Sequence, residues 1–361
     1  MEFSVLTLPG DGIGVEVTRE AVLVLQHICQ KFNHQANLSE ALLGGIAIHK
    51  TGGPFPAETE ALCQQADATL MGAVGLPEFD NWPPEKRPER GLLGIRKTLG
   101  VYANLRPVRS YPALIDSSPL KNHLVDGVDM IIVRELTGGI YYGTPRGITG
   151  EGREARGTNT MTYSWAEIDR VTRMSFELAR NRRKKVTSVD KSNVLETSQL
   201  WRKVVVEVAK DYPDVELNHL LVDNCAMQLV LNPKQFDVVV MENMFGDILS
   251  DEGAVLAGSI GMLPSASIGA RKPNGYWVGL YEPVHGSAPD IAGQNKANPL
   301  GAIGSVAAML EYSFGLKEEA AAVNRAMEAV LDSGRVTADL RPKSAPATTE
   351  QVGQAVCEAI G

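Results

Sequence analysis

Asp247 and Asp251 stand four residues apart in Glu242-Asn243-Met244-Phe245-Gly246-Asp247-Ile248-Leu249-Ser250-Asp251-Glu252, the spacing that stacks two carboxylates on one face of a helix. Like charges so stacked repel by a few tenths of a kcal/mol. A helix N-terminus offsets part of that, and a divalent cation held between the oxygens reverses it. The same acids also suit the solvated first turn of a helix. The valine-rich run Phe236 to Met241 before them reads as a buried strand, and Gly246 as the residue that turns the chain from it into the helix.

Arginines near apolar elements supply the matching cations. In Glu89-Arg90-Gly91-Leu92-Leu93-Gly94-Ile95-Arg96, a helix brings Leu92, Leu93 and the Arg96 guanidinium to one face. That face suits a ligand with an alkyl group and a carboxylate, or equally a core-facing stripe edged by a solvated arginine. Asn104 and Arg106 share a strand face by the period of two, and Arg134 ends the run Met130-Ile131-Ile132-Val133, where a buried guanidinium needs a partner. Tyr141 follows seven residues later, with a hydroxyl able to donate a proton or simply to pack. Lys191 lies just past a strand, where functional residues of α/β sheets gather and partial desolvation makes a lysine a usable base. Asp223 follows the next strand, as a third carboxylate for a cation or as a helix N-cap.

These residues need a scaffold of alternating strands and helices. Phe3 to Leu8 reads as a strand that feeds Gly10-Asp11-Gly12-Ile13-Gly14 and then a helix from about Val15 to Phe32. The glycines are spaced GxGxG, not the GxGxxG of dinucleotide-binding turns, so a Rossmann unit is rejected. Strands near 37–43, 68–74, 101–110, 128–134, 186–190 and 216–222 alternate with helices near 57–66, 92–99 and 197–212. Ser164 and Glu167 form a capping box for a helix to about Arg180. Residues 139–163, rich in glycine and tyrosine, read as a projecting β-arm for dimer contact or as a mobile loop. Pro264 to Asn298 reads as loop-rich, and helices follow near 299–314, 317–332 and 350–360. The fold class is α/β.

A chain of 361 residues with 44% hydrophobic and 22% charged residues is globular and long enough for two domains. The net charge of −8, from 35 basic and 43 acidic residues, argues against nucleic acid as a partner. Cys29, Cys63, Cys225 and Cys357 form no CxxC pair and read as reduced, buried thiols. No apolar stretch is long enough to span a membrane, and no signal-peptide core precedes the first strand. The expected location is the cytoplasm, or an organelle matrix or stroma after loss of a transit peptide.

Taken together and in order, the motifs resemble the β-decarboxylating dehydrogenases of the isocitrate/isopropylmalate type. The resemblance runs from Gly10-Asp11-Gly12-Ile13-Gly14 through ERGLLGIRK (Glu89 to Lys97), YANLRP (Tyr102 to Pro107), VRELTGGIY (Val133 to Tyr141), VDKSNVLE (Val189 to Glu196), VDNCAMQ (Val222 to Gln228), NMFGDILSDE (Asn243 to Glu252) and LPSAS (Leu263 to Ser267) to YEPVHGSAPDIAG (Tyr281 to Gly293). It implies that family's two-domain fold with a mixed parallel and antiparallel sheet, one domain from residues 1–101 and 258–361 and the other from 102–257. It implies oxidation and decarboxylation of a 3-alkylmalate, 3-isopropylmalate first, by a homodimer with shared active sites. Another 3-alkylmalate, D-malate or tartrate, and a catalytically silent subunit are the alternatives.

The resemblance also implies residue roles. Arg96, Arg106 and Arg134 grip the malate carboxylates, with Leu92, Leu93, Glu89, Asn193, Val194 and Asp223 on the substrate side. Asp247 and Asp251, with the partner's Asp223, hold Mg²⁺ or Mn²⁺. The partner's Lys191 takes the hydroxyl proton and Tyr141 protonates the enolate. His285, Gly286, Ser287, Ala288, Pro289, Asp290, Ile291 and Asn298 line the cofactor, and Asp290 favours NAD over NADP by accepting from the ribose hydroxyls.

Overall fold

The computed structural model describes residues 1–361, the side chain of residue 257 aside. It divides into two compact units, one made of Met1–Val101, Tyr111–Pro119 and Ala257–Gly361, the other of Tyr102–Ser110 and Leu120–Leu256.

The first unit opens with β1 (Glu2–Gly10), α1 (Gly14–Lys31), β2 (Gln35–Glu40), α2 (Gly45–Thr51), α3 (Ala57–Gln65), β3 (Ala68–Ala73) and α4 (Glu89–Leu99). Strand β1 buries Phe3 and Val5 as well as Leu6 and Leu8, because helices cover both of its faces. Leu6 and Leu8 join Leu43, Cys63, Met71, Ile95 and Leu280 in a core beneath α3 and α4. The glycine-dense turn after β1 is a structural knot: Asp11, 3% exposed, accepts the backbone N–H groups of Gly45 at 2.7 Å, Ile46 at 2.8 Å and Gly75 at 2.9 Å. Two of those donors open α2, where a helix has no carbonyl of its own to offer them.

The second unit comprises β4 (Ala103–Arg109), the single turn α5 (Asn122–Val125), β5 (Asp129–Glu135), the short pair β6 (Gly147–Thr149) and β7 (Arg156–Thr158), α6 (Trp165–Arg180), β8 (Lys185–Asp190), α7 (Glu196–Ala209), β9 (Glu216–Leu221), α8 (Val222–Leu231), β10 (Val238–Met241) and α9 (Asn243–Ala254). Its strands run in the order β4-β5-β10-β8-β9. β4 is antiparallel to β5 and the other pairs are parallel. The capping box of Ser164 and Glu167 starts α6 as the sequence predicts. β6 and β7 pair antiparallel with every residue exposed, Ile148 at 79%.

The first unit is completed by β11 (Pro264–Arg271), β12 (Trp277–Pro283), α10 (Leu300–Phe314), α11 (Lys317–Ser333) and α12 (Thr349–Ile360). Its strands lie in the order β2-β1-β3-β12-β11, parallel except for β11 against β12. The loop-rich reading of 264–298 is corrected here, since β11 and β12 occupy its first half. Small residues hid them: Ser265, Ala266 and Ser267 are buried, and Ser265 Oγ donates to the Glu282 carbonyl at 3.0 Å, so a core strand lacks the usual β-branched run. The helix α2 also escapes the sequence pattern, being short and started by a distant carboxylate. α10 and α12 pack on α1, and Phe3 stacks on Phe314 at 4.1 Å.

All four cysteines are free and buried. Burial pushes the thiols of Cys29 and Cys357 up to about 11 and those of Cys63 and Cys225 up to about 12. No helix among the described residues is long and apolar enough to cross a membrane.

The Asp11 knot predicts that Asp11→Ala, which leaves three inward-facing N–H groups without an acceptor, lowers unfolding stability by about 2–4 kcal/mol. The check is the urea midpoint of the variant at unchanged slope; a midpoint equal to that of the parent chain contradicts the assignment.

Candidate active site

The second unit gathers the acids, arginines and phenol. β10 ends at Met241, and Glu242 then caps α9, its carboxylate accepting from the N–H groups of Phe245 at 2.9 Å and Met244 at 3.0 Å. The helix therefore begins at Asn243, one turn before the position expected from Gly246. Gly246 has a different role: a Cβ there would stand 2.6 Å from the Cβ and Cγ of Arg134. Its absence lets the stem of that arginine lie along the helix.

Arg134, 5% exposed at the end of β5, spends its fork on α9. Its Nε donates to Asn243 Oδ1 at 3.0 Å and its Nη1 forms an ion pair with Asp247 Oδ1. The Tyr141 hydroxyl donates to the other oxygen of Asp247 at 2.8 Å. Arg106, also buried, donates from Nε to Asn104 Oδ1 at 2.8 Å and from Nη1 to Ser250 Oγ at 2.6 Å and Asp251 Oδ1 at 3.1 Å. The predicted sharing of a face by Asn104 and Arg106 thus appears as a direct contact. Asp247 and Asp251 keep 38% and 62% of their side-chain surface open, so two carboxylates with buried cationic partners reach solvent. Burial, followed by the hydrogen bond to Asp247, pushes the Tyr141 hydroxyl up to about 12. It is a protonated donor at neutral pH.

Lys191 lies immediately after β8, and its Nζ donates to Asp223 Oδ1 at 2.5 Å, which holds the Asp223 carboxyl below the usual carboxylate range. Asp223 sits in the first turn of α8, whose N-cap is Leu221, so the alternative of an N-cap is not what forms. Asp223 does not join Asp247 and Asp251 within this chain: among the described residues no group of three His, Cys, Asp or Glu side chains could hold a metal ion. Asn193 and Val194 are exposed in the turn between β8 and α7.

The first unit holds the rest. Leu92, Leu93 and Arg96 are half-buried on α4, where Leu92 packs against the core cluster. Arg96 donates to Glu282 Oε1 at 3.0 Å, while its Nε is buried without a partner. Glu89 is exposed in the first turn of the same helix. In the segment after β12, His285 and Ser287 are buried, Ala288 and Ile291 are half-buried, and Gly286, Pro289 and Asp290 are exposed. The Ser287 carbonyl accepts from Ile13 N–H at 2.8 Å, which fastens this segment to the turn after β1. The Nδ1 of His285 meets the Gly286 carbonyl at 2.9 Å, its Nε2 is buried without a partner, and burial pushes the imidazole below its ordinary range. Asn298 is fixed from both sides, donating to Asp339 Oδ2 at 3.0 Å and accepting from Leu300 N–H at 3.0 Å.

Sequence reasoning missed Glu242, Asn243, Ser250, Glu282 and Asp339, the groups that hold the named residues. For Asn243 a signal existed, since a buried arginine in the neighbouring strand must find acceptors. Glu282 and Asp339 are remote in sequence from what they hold and left none.

The isocitrate/isopropylmalate dehydrogenase family model matches residues 4–356. A 3-isopropylmalate dehydrogenase of Priestia megaterium is 56% identical over 360 residues, covering 100% of this chain and 96% of that protein. One of Aquifex aeolicus is 55% identical over 339 residues, covering 94% of this chain and 92% of its own. Among solved structures, the isocitrate dehydrogenase of Methylococcus capsulatus superposes with a TM-score of 0.86 at 33% identity, covering 99% of both chains. A β-decarboxylating dehydrogenase from Thermococcus kodakarensis, in its apo form, gives 0.79 at 35% identity over 99% of this chain and 96% of that one. With sequence and fold alike over nearly its whole length, and with the acids and arginines gathered as described, this chain is an enzyme of the isocitrate/isopropylmalate dehydrogenase family.

Proposed function

We propose that the protein oxidises and decarboxylates (2R,3S)-3-isopropylmalate to 4-methyl-2-oxopentanoate and CO₂, using NAD and Mg²⁺ or Mn²⁺, in leucine biosynthesis. The observation that carries this reading is the bracketing of Asp247 and Asp251 by Arg134, Arg106 and Tyr141. It is supported by relatives of that name at 56% and 55% identity.

The residues present fit both implied groups. Asp247 and Asp251 offer hard, solvent-reaching carboxylate oxygens, the donors that Mg²⁺ and Mn²⁺ select. The partner subunit's Asp223 would complete the set. For NAD, the buried, unpartnered His285 Nε2 and the open space about Gly286 fit a ligand along this segment. Asp290 is exposed there to accept from ribose hydroxyls and repel a 2′-phosphate. When bound, the cation and NAD supply charge stabilisation beside the substrate hydroxyl and a hydride acceptor.

The chain's own groups do the rest. Arg96, Arg106 and Arg134 pair with the malate carboxylates, their planar forks fixing which carboxylate is retained and which leaves. Leu92 and Leu93 offer the isopropyl group an apolar wall. The partner subunit's Lys191 accepts the hydroxyl proton as C2 becomes a ketone. Loss of CO₂ leaves an enolate, and Tyr141 protonates its carbon. The homodimer is supported by α8 and α9, which pack together and leave Met227, Leu231 and Ile248 at 56%, 62% and 60% exposure, an apolar surface suited to a second copy.

Three outcomes test this reading. NADH absorbance should rise with 3-isopropylmalate, NAD and Mg²⁺ or Mn²⁺ faster than with isocitrate, D-malate or a bulkier 3-alkylmalate, and EDTA should abolish it; a preference for another acid transfers the assignment to that substrate. Tyr141→Phe should lower kcat by about 10²-fold, and because burial and the hydrogen bond to Asp247 push the phenol up to about 12 the loss should be constant from about pH 6 to about pH 10. A loss confined to one limb of the profile removes the phenol as the acid. Leu231→Lys with Met227→Lys should convert dimer to monomer by light scattering and remove activity with it; an active monomer rules out shared sites.

A further inference from the structure

Two acids and a phenol buried in the second unit have no part in the chemistry just described. Glu135 is fully buried, Glu242 is 4% exposed and Tyr163 8%. The Tyr163 hydroxyl accepts the N–H of Asn243 at 2.9 Å and donates to Glu242 Oε2 at 3.3 Å. Asn243 is the residue whose side chain holds Arg134 Nε, and its Nδ2 donates to the Gly138 carbonyl at 3.2 Å. Glu242 is the cap of α9, the helix that carries Asp247.

The same tyrosine forms the floor of the turn that carries Tyr141. A Cβ on Gly138 would stand 2.5 Å from the Tyr163 ring, and one on Gly139 would stand 2.6 Å from its hydroxyl. The turn backbone thus lies flush on the phenol, as glycine alone permits. Glu135 holds the turn from behind, accepting the N–H groups of Thr137 at 2.7 Å and Gly138 at 2.8 Å. The Thr162 carbonyl, next to Tyr163, accepts from Gly139 N–H at 3.0 Å. Against Trp201 the ring is fixed edge-on at 5.6 Å. Both hydrogen bonds of the hydroxyl therefore end at the start of α9, which carries Asp247, and the ring lies against the turn that carries Tyr141. Burial and the neighbouring carboxylates push the Tyr163 hydroxyl far above its ordinary range, so it keeps its proton and its two-sided bonding.

We propose that Tyr163 is a positioning residue for the proton donor: its ring and hydroxyl set the Gly138-Gly139 turn against the start of α9, and so aim the Tyr141 hydroxyl at the carbon to be protonated. This rests on the reading of Tyr141 as the donor to the enolate. Deleting the hydroxyl releases Asn243 N–H and Glu242 from their common partner and loosens the turn. Misplacing the donor in a proton-transfer geometry slows the step without touching the cofactor segment.

The test is Tyr163→Phe, assayed with 3-isopropylmalate, NAD and Mg²⁺ in H₂O and D₂O beside the parent enzyme. The expected result is a kcat lower by about 10- to 100-fold, a solvent isotope effect on kcat larger than the parent's because carbon protonation has become slow, and a KM for NAD within about twofold of the parent's. An unchanged kcat overturns the proposal. So does a lower kcat with the parent's isotope effect, which is the signature of a smaller folded fraction. Circular dichroism checks the fold, and if Tyr163→Phe does not fold, Glu135→Gln is the second variant: it disturbs the same turn with the ring retained and should raise the isotope effect likewise. A parent enzyme that leaves 3-isopropylmalate untouched defeats the substrate reading itself, an outcome separate from any behaviour of the variants.

Discussion

A guanidinium buried at the end of a strand is the constraint on which the second unit depends. Arg134 is 5% exposed, and a charge so far from water is tolerated only where its hydrogen bonds are met and an opposite charge stands close. Those requirements fix Asn243 and Asp247 on one helix, bring that helix so near that Gly246 cannot carry a side chain, and set Glu242 as the cap that begins it. Arg106 repeats the pattern with Asn104, Ser250 and Asp251. The carboxylates are thereby held in their orientation before any ligand arrives, which lowers the ordering cost of binding.

The two units divide their polar work differently. In the second, charged groups meet in pairs that reach solvent at one end, as with Asp251 on Arg106 and Lys191 on Asp223. In the first, buried polar groups mostly serve the backbone. Asp11 ties the first turn of α2 and the end of β3, and the Ser287 carbonyl receives Ile13 N–H. Among the described residues of this unit, Glu16 Oε2, Thr18 Oγ1, Arg96 Nε and His285 Nε2 are buried without a partner. Arg96 and His285 are residues whose sequence context already marked them, and a buried polar atom without a partner is rare enough to need an explanation.

Much of this was legible in the sequence because it rests on short-range rules. The strand before Lys191, the capping box of Ser164 and Glu167, and the common face of Asn104 and Arg106 follow from period and local chemistry, and the motif order pointed to the family. Longer-range effects escaped. Strand β11 is built from serine, alanine and glycine that make sense only against its neighbour, α2 is started by an aspartate 34 residues away, and Gly246 serves Arg134 rather than a turn. The loop reading of Pro264 to Asn298 failed for the same reason: what decides a buried strand is the surface it must match.

The first unit takes its residues from both ends of the chain, and this sets the order in which the protein can be completed on the ribosome. Helix α1 buries Val17, Ala21, Val24, Leu25 and Ile28, yet two of the helices that pack on it, α10 and α12, lie at residues 300–314 and 349–360. Until residues 300–360 have been made, α1 lacks these two helices over that apolar stripe. The second unit, apart from the short strand β4, is one continuous run of chain and can close during synthesis. The nascent protein therefore carries one completed unit while the other still exposes apolar surface, and the window for chaperone capture or aggregation narrows only once α10 and α12 have been made.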